Sequence, residues 1–166
     1  MNRTERLTVV FDCMIYLQGL IKEKGPAVEC LELFERGAVK LLVSHEILEE
    51  IADVLTRPKL KAGYSLLTRE RADKLIGILK EKAKLIEKVP KNFKYPRDQK
   101  DEKYINLAIE SKADYIVSRD KDLLDLMTDH SDEAKDFRQR FRPLRVMSPV
   151  EFLDMVTKIE AESSAG

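Results

Sequence analysis

Residues 97–126 read RDQKDEKYINLAIESKADYIVSRDKDLLDL, and this stretch decides the fold class. Its first half predicts a helix over Asp101–Lys112, because apolar residues recur there every three to four positions. Its second half predicts a buried strand over Asp114–Val117 and then a short helix over Lys121–Met127. A helix that leads into an apolar strand and then into another helix is typical of an α/β protein with a parallel sheet.

The rest of the chain alternates in the same way, which predicts one three-layer α/β domain with a mainly parallel central sheet flanked by helices. The other predicted strands are Leu7–Phe11, Val39–Val43, Leu85–Val89 and Leu144–Met147. The other predicted helices are about ten residues from Met14, Ala27–Arg36, a helix that Ser44 caps and Arg57-Pro58 ends, Thr68–Ala83, and one that begins at Pro149. We expect residues 1–161 to form the domain and residues 162–166 a flexible tail.

Composition narrows the class of protein. The chain has 166 residues with 30 Lys and Arg against 30 Asp and Glu, and these proportions are typical of a soluble globular domain. No apolar run approaches the ~18 residues of a membrane span, so we expect no membrane partner. The opening MNRTERL leads straight into VVF, which is too short for the apolar part of a signal peptide. Two cysteines without a zinc pattern favour the reducing cytoplasm.

Acidic residues fall repeatedly at the carboxyl ends of the predicted strands, the edge at which α/β sheets bind ligands. Asp12 directly follows the first strand, and Asp120 closely follows the strand that ends at Val117. Asp98 and Asp101 bracket the start of a helix, and helix starts lie on the same edge. We therefore expect these four carboxylates to lie near one another.

Glu50 is the less obvious member of the set. Its neighbours at helical spacing are Ile47 and Val54, so it borders the buried face, whereas Glu49 neighbours only polar positions. Each acid also has an ordinary structural explanation, because aspartates cap helices and glutamates lie on surfaces. For any one of these residues the structural explanation is sufficient by itself.

Together, the carboxylates favour a metal site, because acids that converge on one edge repel each other unless a cation neutralises them. Oxygen ligands without a nearby His or Cys favour Mg²⁺ or Mn²⁺ over zinc. Such a site suits phosphodiester hydrolysis, in which the metal activates water and screens the charge on phosphate. Other chemistries fit poorly, since the chain has no glycine-rich phosphate loop and only two histidines, His45 and His130.

Four segments resemble the motifs of the PIN-domain family, particularly the bacterial and archaeal branch assigned as toxins of toxin–antitoxin pairs. They are VVFDCMIYLQGL (9–20), SHEILEEIADVLTRPKL (44–60), the block 97–126 and MSPVEFL (147–153). The resemblance implies a Mg²⁺- or Mn²⁺-dependent ribonuclease that acts on RNA and is often dimeric, with an antitoxin protein as a further partner. It assigns metal-binding, catalytic roles to Asp12, Glu50, Asp101 and Asp120, accessory metal-binding roles to Asp98 and Asp122, and a supporting role to Ser118.

Two features depart from the family pattern. Met14 stands two residues after the first acid, where the family usually has a polar Asn, and this favours an alternative: a PIN-like module that binds RNA or protein without cleaving. Between Leu126 and Leu144 the chain is longer than expected for this branch, and the segment 128–142 lies in this insertion. If it is extended, Arg138, Arg140 and Arg142 share a face and could contact substrate phosphates near the metal, although a solvated loop or a dimer contact would explain it equally.

Overall fold

The computed structural model describes residues 7–165, which form a five-stranded sheet with helices packed against it. The strands are β1 Thr8–Phe11, β2 Lys40–Ser44, β3 Lys84–Ile86, β4 Tyr115–Val117 and β5 Arg145–Met147. They lie in the order β3-β2-β1-β4-β5, and each pair of neighbours is parallel. The fold class expected from the sequence is thus confirmed.

Nine α-helices connect and flank these strands in the described part of the chain. They are α1 Cys13–Ile21, α2 Pro26–Glu35, α3 His45–Leu55, α4 Pro58–Gly63, α5 Arg69–Lys82, α6 Glu102–Ser111, α7 Lys121–Leu124, α8 Asp132–Arg140 and α9 Pro149–Ala165. Short 3-10 turns over Gln99–Asp101 and Asp125–Met127 precede α6 and follow α7. Within residues 7–165, no helix combines the length and apolar character needed to cross a membrane.

The strand order reverses between β1 and β4, and this reversal positions the site. From β1 the chain moves outward to β2 and β3, and then returns to place β4 on the other side of β1. Phe11 pairs with Val117, so the carboxyl ends of β1 and β4 lie side by side. In parallel α/β sheets, the crevice outside such a reversal is where ligands bind.

The core holds this edge in place. Val9, Val10 and Phe11 are fully buried, as expected for a central strand covered on both faces. The Phe11 ring contacts the ring of Phe152 from α9 edge to face, with centroids 6.3 Å apart. Burying one phenylalanine side chain stabilises a fold by about 1.5–3 kcal/mol. The residue that follows Phe11 therefore starts from an anchored backbone.

The structure contains a helix, α8, that the apolar pattern did not predict. Its N-cap is Ser131, whose hydroxyl accepts a hydrogen bond from the Ala134 N–H at 3.3 Å. Only Ala134 and Phe137 are buried on it, which is too few for a recognisable period. Phe137 packs edge to face on Phe93, with centroids 5.6 Å apart, so tertiary aromatic contacts stabilise this helix.

Two further boundaries differ from the sequence-based expectation. Pro58 was expected only to end a helix, but it also begins α4, since a proline at the first helical position needs no N–H partner. Helix α9 includes residues 162–165, which were expected to form a flexible tail. Residues 1–6 and Gly166 lie outside the described residues, and the division into a domain and a tail stays a prediction.

Candidate metal centre

The first part of the candidate site lies where β1 and β4 end. Asp12 follows β1, is only 4% exposed, and donates its backbone N–H to the Val117 carbonyl at 3.3 Å. The Ser118 hydroxyl, after β4, donates a hydrogen bond to Asp12 Oδ2. The same hydroxyl oxygen accepts the backbone N–H of Asp120 at 2.9 Å. Ser118 therefore links the acids of the two strand ends.

The second part of the site is a cluster of four aspartates. Asp98, Asp101, Asp120 and Asp122 each offer one oxygen, and these oxygens lie within 4.8 Å of one another. Carboxylates at this separation repel each other strongly when all are ionised. An all-oxygen donor set of this kind suits a hard divalent cation such as Mg²⁺ or Mn²⁺.

Asp101 is the most constrained member of the cluster. Its carboxylate is 6% exposed, and its Oδ2 is buried without a hydrogen-bond partner among the described residues. Burial is the largest cause that raises the pKa of Asp101 well above its ordinary value, and the neighbouring carboxylates of Asp120 and Asp98 raise it further. A buried oxygen without a partner is costly, and a bound cation would remove that cost. The residues present thus fit a divalent metal.

Helix caps hold the aspartates in place. Asp98 accepts the Lys100 N–H at 3.1 Å, and Asp120 accepts the Asp122 N–H at 2.9 Å. Asp122 in turn accepts from Arg97 Nε at 2.6 Å, an ion pair that the sequence did not reveal. The ordinary explanation as helix caps is therefore correct for Asp98 and Asp120, and it is compatible with metal binding because each cap leaves another carboxylate oxygen free to bind.

Asp12 is buried beside the cluster and is affected by the charge of Asp120. Burial raises its pKa to about 6, although hydrogen bonds from Ser118 and from the Ile15 and Met14 backbones lower it, and the charge of Asp120 raises it further. Asp12 also caps α1, since its Oδ1 accepts the Ile15 N–H at 3.2 Å. The carboxylate is thus oriented by the start of α1 and by Ser118.

Glu50 faces the same cleft, as expected from its helical position, while Glu49 is exposed. Like Asp12, it is outside the cluster of four aspartates, but its carboxylate is paired with a cation. Lys103 Nζ lies 2.6 Å from Glu50 Oε2, and the Tyr104 hydroxyl donates a hydrogen bond to Oε1. The sequence placed Tyr104 in the core, which is correct for its ring, but nothing local indicated that its hydroxyl reaches α3.

An open cleft of about 680 Å³ lies over the acids. Asp12, Glu50, Asp101 and Asp120 are among the residues that line it. Its apolar side contains Met14, Leu17, Val54 and Leu60, and its cations are Arg57, Lys100, Lys103 and Arg119. Met14 is 46% exposed, an unusual degree for a methionine, and it lies in this cleft. The cleft therefore combines acids that could hold a cation with positive charges suited to phosphate.

The hypothesis that the segment 128–142 is an extended arm is wrong, because Asp132–Arg140 is helical. The guanidinium of Arg138 donates to the backbone carbonyls of Leu126 and Asp129 at 2.7 and 2.8 Å. Arg140 pairs with Asp136 at 3.0 Å along the same helix. These arginines therefore do not form a common face.

The position of this segment also differs from the expectation. Arg140 and Arg142 line a cavity with Lys112 and Asp114, which precede β4. That is the amino-terminal edge of the sheet, opposite the edge that carries Asp12 and Asp120. The placement removes the reason for expecting these arginines to contact phosphates at the metal site.

Comparison with known proteins agrees with this geometry. The model of the PIN domain family matches residues 8–122, a span that contains all six candidate acids. An uncharacterized protein of the archaeon Methanocaldococcus jannaschii is 31% identical over 153 residues, which are 92% of this chain and 94% of that protein.

Proposed function

The chain belongs to the PIN-domain family, whose members are typically metal-dependent nucleases, and from that premise we propose that it is a metal-dependent endoribonuclease. The observation that carries the proposal is Asp101, a buried carboxylate with an unpartnered oxygen among three further aspartates. A protein without a cation to bind would gain stability by replacing such a residue.

Asp12, Asp98, Asp101, Asp120 and Asp122 would hold the cation, for which we propose Mg²⁺ or Mn²⁺. When bound, such an ion lowers the pKa of water and neutralises charge on the scissile phosphate. The chain's own contribution is orientation: Ser118 fixes Asp12 relative to Asp120, and the core fixes the strand ends that precede them. Hydrolysis would leave a 5′-phosphate and a 3′-hydroxyl. Glu50 takes part through its ion pair with Lys103.

The biological setting is a further part of the proposal. We place the enzyme in the cytoplasm, where RNA is available, and assign it as the toxin of a toxin–antitoxin pair that acts as a homodimer. This part rests on resemblance to one branch of the family. It is tested by whether expression arrests growth, and whether co-expression of the adjacent gene product restores it.

A non-catalytic module that binds RNA or protein is the second candidate, and Met14 is the observation that favours it. An exposed thioether in the cleft has no hydrogen-bond donor for phosphate and is only a weak acceptor for water. It does offer an adaptable apolar surface, as is common where proteins bind varied partners.

Incubation of the purified protein with mixed RNAs in Mn²⁺ separates the two candidates. We expect the wild type to cleave and Asp12→Asn to be inactive, while Asp154→Asn, a matched change on an exposed position of α9, cleaves normally. Binding of RNA without cleavage by the wild type, in either Mg²⁺ or Mn²⁺, would establish the module and contradict the enzyme.

A further inference from the structure

The amino group of Lys103 is an internal cation of the cleft. Its side chain is only 12% exposed, and Nζ lies 2.6 Å from Glu50 Oε2. Nζ also donates to the backbone carbonyl of Lys100 at 2.8 Å and lies 5.2 Å from the centroid of the Tyr104 ring. A lysine that is buried to this degree is retained only where its charge is compensated. The position of this ammonium is therefore set by the fold.

Both oxygens of Glu50 are engaged in this arrangement. Lys103 Nζ pairs with Glu50 Oε2, and the Tyr104 hydroxyl donates a hydrogen bond to Glu50 Oε1. The Tyr104 oxygen is itself fixed, since it accepts the Cys13 N–H at 3.1 Å. Glu50 is thus connected to the residue after Asp12, yet it contributes no oxygen to the cluster of four aspartates. Its carboxylate is occupied by protein donors.

The charges of the site divide accordingly. Arg97 compensates Asp122, and Lys103 compensates Glu50. Asp12, Asp98, Asp101 and Asp120 have no such ion pair among the described residues, so the uncompensated negative charge is concentrated beside Asp101. The oxygens of the four aspartates lie within 4.8 Å of one another, and this separation defines a single position for a divalent cation.

We propose that Lys103 takes the place of a second divalent cation: the aspartates bind one ion, and the ammonium held by Glu50 supplies the second positive charge. An ammonium has three donor hydrogens, and Glu50 and the Lys100 carbonyl use two of them. The third is available to a non-bridging oxygen of the scissile phosphate. That last step rests on the proposed nuclease function, whereas the number of bound ions does not.

Calorimetric titration of Mn²⁺ into the metal-free protein tests the proposal. We expect one ion per wild-type molecule and two per molecule of Lys103→Met, because the substitution frees Glu50. The double variant Lys103→Met/Glu50→Gln should return to one ion. Lys100→Met is the matched control, since it removes a positive charge from the same cleft without contacting Glu50, and it should bind one ion. Two ions on the wild type, or one on Lys103→Met, would overturn the proposal.

A second variant covers the case in which Lys103→Met fails to fold. Glu50→Gln in the otherwise wild-type protein should leave Mn²⁺ affinity within about twofold, because Glu50 is not a ligand while Lys103 is present. A tenfold loss of Mn²⁺ affinity would show that Glu50 binds the ion directly even when Lys103 is present, and it would contradict the proposal.

Cleavage kinetics then assign the role of the ammonium. At low Mn²⁺, Lys103→Met should cleave at least about tenfold more slowly than the wild type, as loss of one transition-state charge contact predicts. High Mn²⁺ should restore the rate, since a second ion replaces the ammonium. Rates equal to wild type at all Mn²⁺ concentrations would refute a role in catalysis. If the wild type itself does not cleave RNA, the proposed function fails while the ion count still stands.

Discussion

Replacing Asp12 by Asn should make the metal-free protein more stable at neutral pH, although it removes a residue of the proposed active site. Burial raises the pKa of Asp12 from 3.8 to about 6, so the folded state binds its proton more tightly than the unfolded state does. The contribution of the protonated Asp12 to the free energy of unfolding is fully present below pH ~3.8 and is lost as the pH rises through ~6. Two pKa units correspond to about 3 kcal/mol.

The gain from removing this charge is partly offset by lost hydrogen bonding. Asn remains a good N-cap, so the contact with the Ile15 N–H is retained. The Ser118 hydroxyl loses a charged acceptor, which costs about 1 kcal/mol. The net gain above pH ~6 is therefore about 2 kcal/mol, or an increase in Tm of about 4–8 °C for a domain of this size.

The assay is thermal unfolding in the presence of a chelator at several pH values between 4 and 8. The difference between Asp12→Asn and wild type should be near zero or negative at pH 4 and should grow to its full value above pH 6. Asp154→Asn controls for loss of one surface charge and should show no such growth. A variant less stable than wild type at pH 8, or a difference independent of pH, would refute the reasoning about burial.

Three further expectations concern the same site and the segment after it. Asp101→Asn should also raise Tm in chelator at pH 7 to 8, because burial and the neighbouring aspartates oppose ionisation of Asp101 in the wild type. The same variant should lose the stabilisation that Mn²⁺ gives to the wild type. A full Mn²⁺-induced Tm shift in this variant would exclude Asp101 as a ligand. Ser118→Ala should raise the pKa of Asp12 further, because the Ser118 hydroxyl stabilises the ionised carboxylate. An NMR titration that follows the carboxyl resonance of Asp12 measures this change. An unchanged pKa would contradict the assigned hydrogen bond. Arg138→Ala should lower the free energy of unfolding by about 1–3 kcal/mol, since two backbone carbonyls lose a charged donor. The salt dependence of RNA binding by Arg138→Ala should equal that of the wild type, and a flatter slope would return this arginine to the substrate interface.

The local patterns of the sequence were sufficient for most of the fold. Strand β1 was predicted from a short β-branched run, and the Ser44 cap of α3 was predicted from its position before an apolar stripe; both are present. Helix α8 was not predicted, because aromatic contacts with Phe93, about forty residues earlier in the chain, stabilise it. Residues that pack against distant partners leave little periodic signal in their own segment.

For the candidate site, local sequence patterns were sufficient to identify the carboxylates that follow the strands and begin the helices. Strand alternation and helix capping act within a few residues, so they place Asp12, Asp98 and Asp120 at one edge of the sheet. The way in which these carboxylates are paired with cations depends on the tertiary structure. The pairing of Glu50 with Lys103, the pairing of Arg97 with Asp122, and the unpartnered oxygen of Asp101 all depend on side chains that different elements bring together. Electrostatic interactions depend on distance and burial in three dimensions, and no spacing along the chain encodes either quantity.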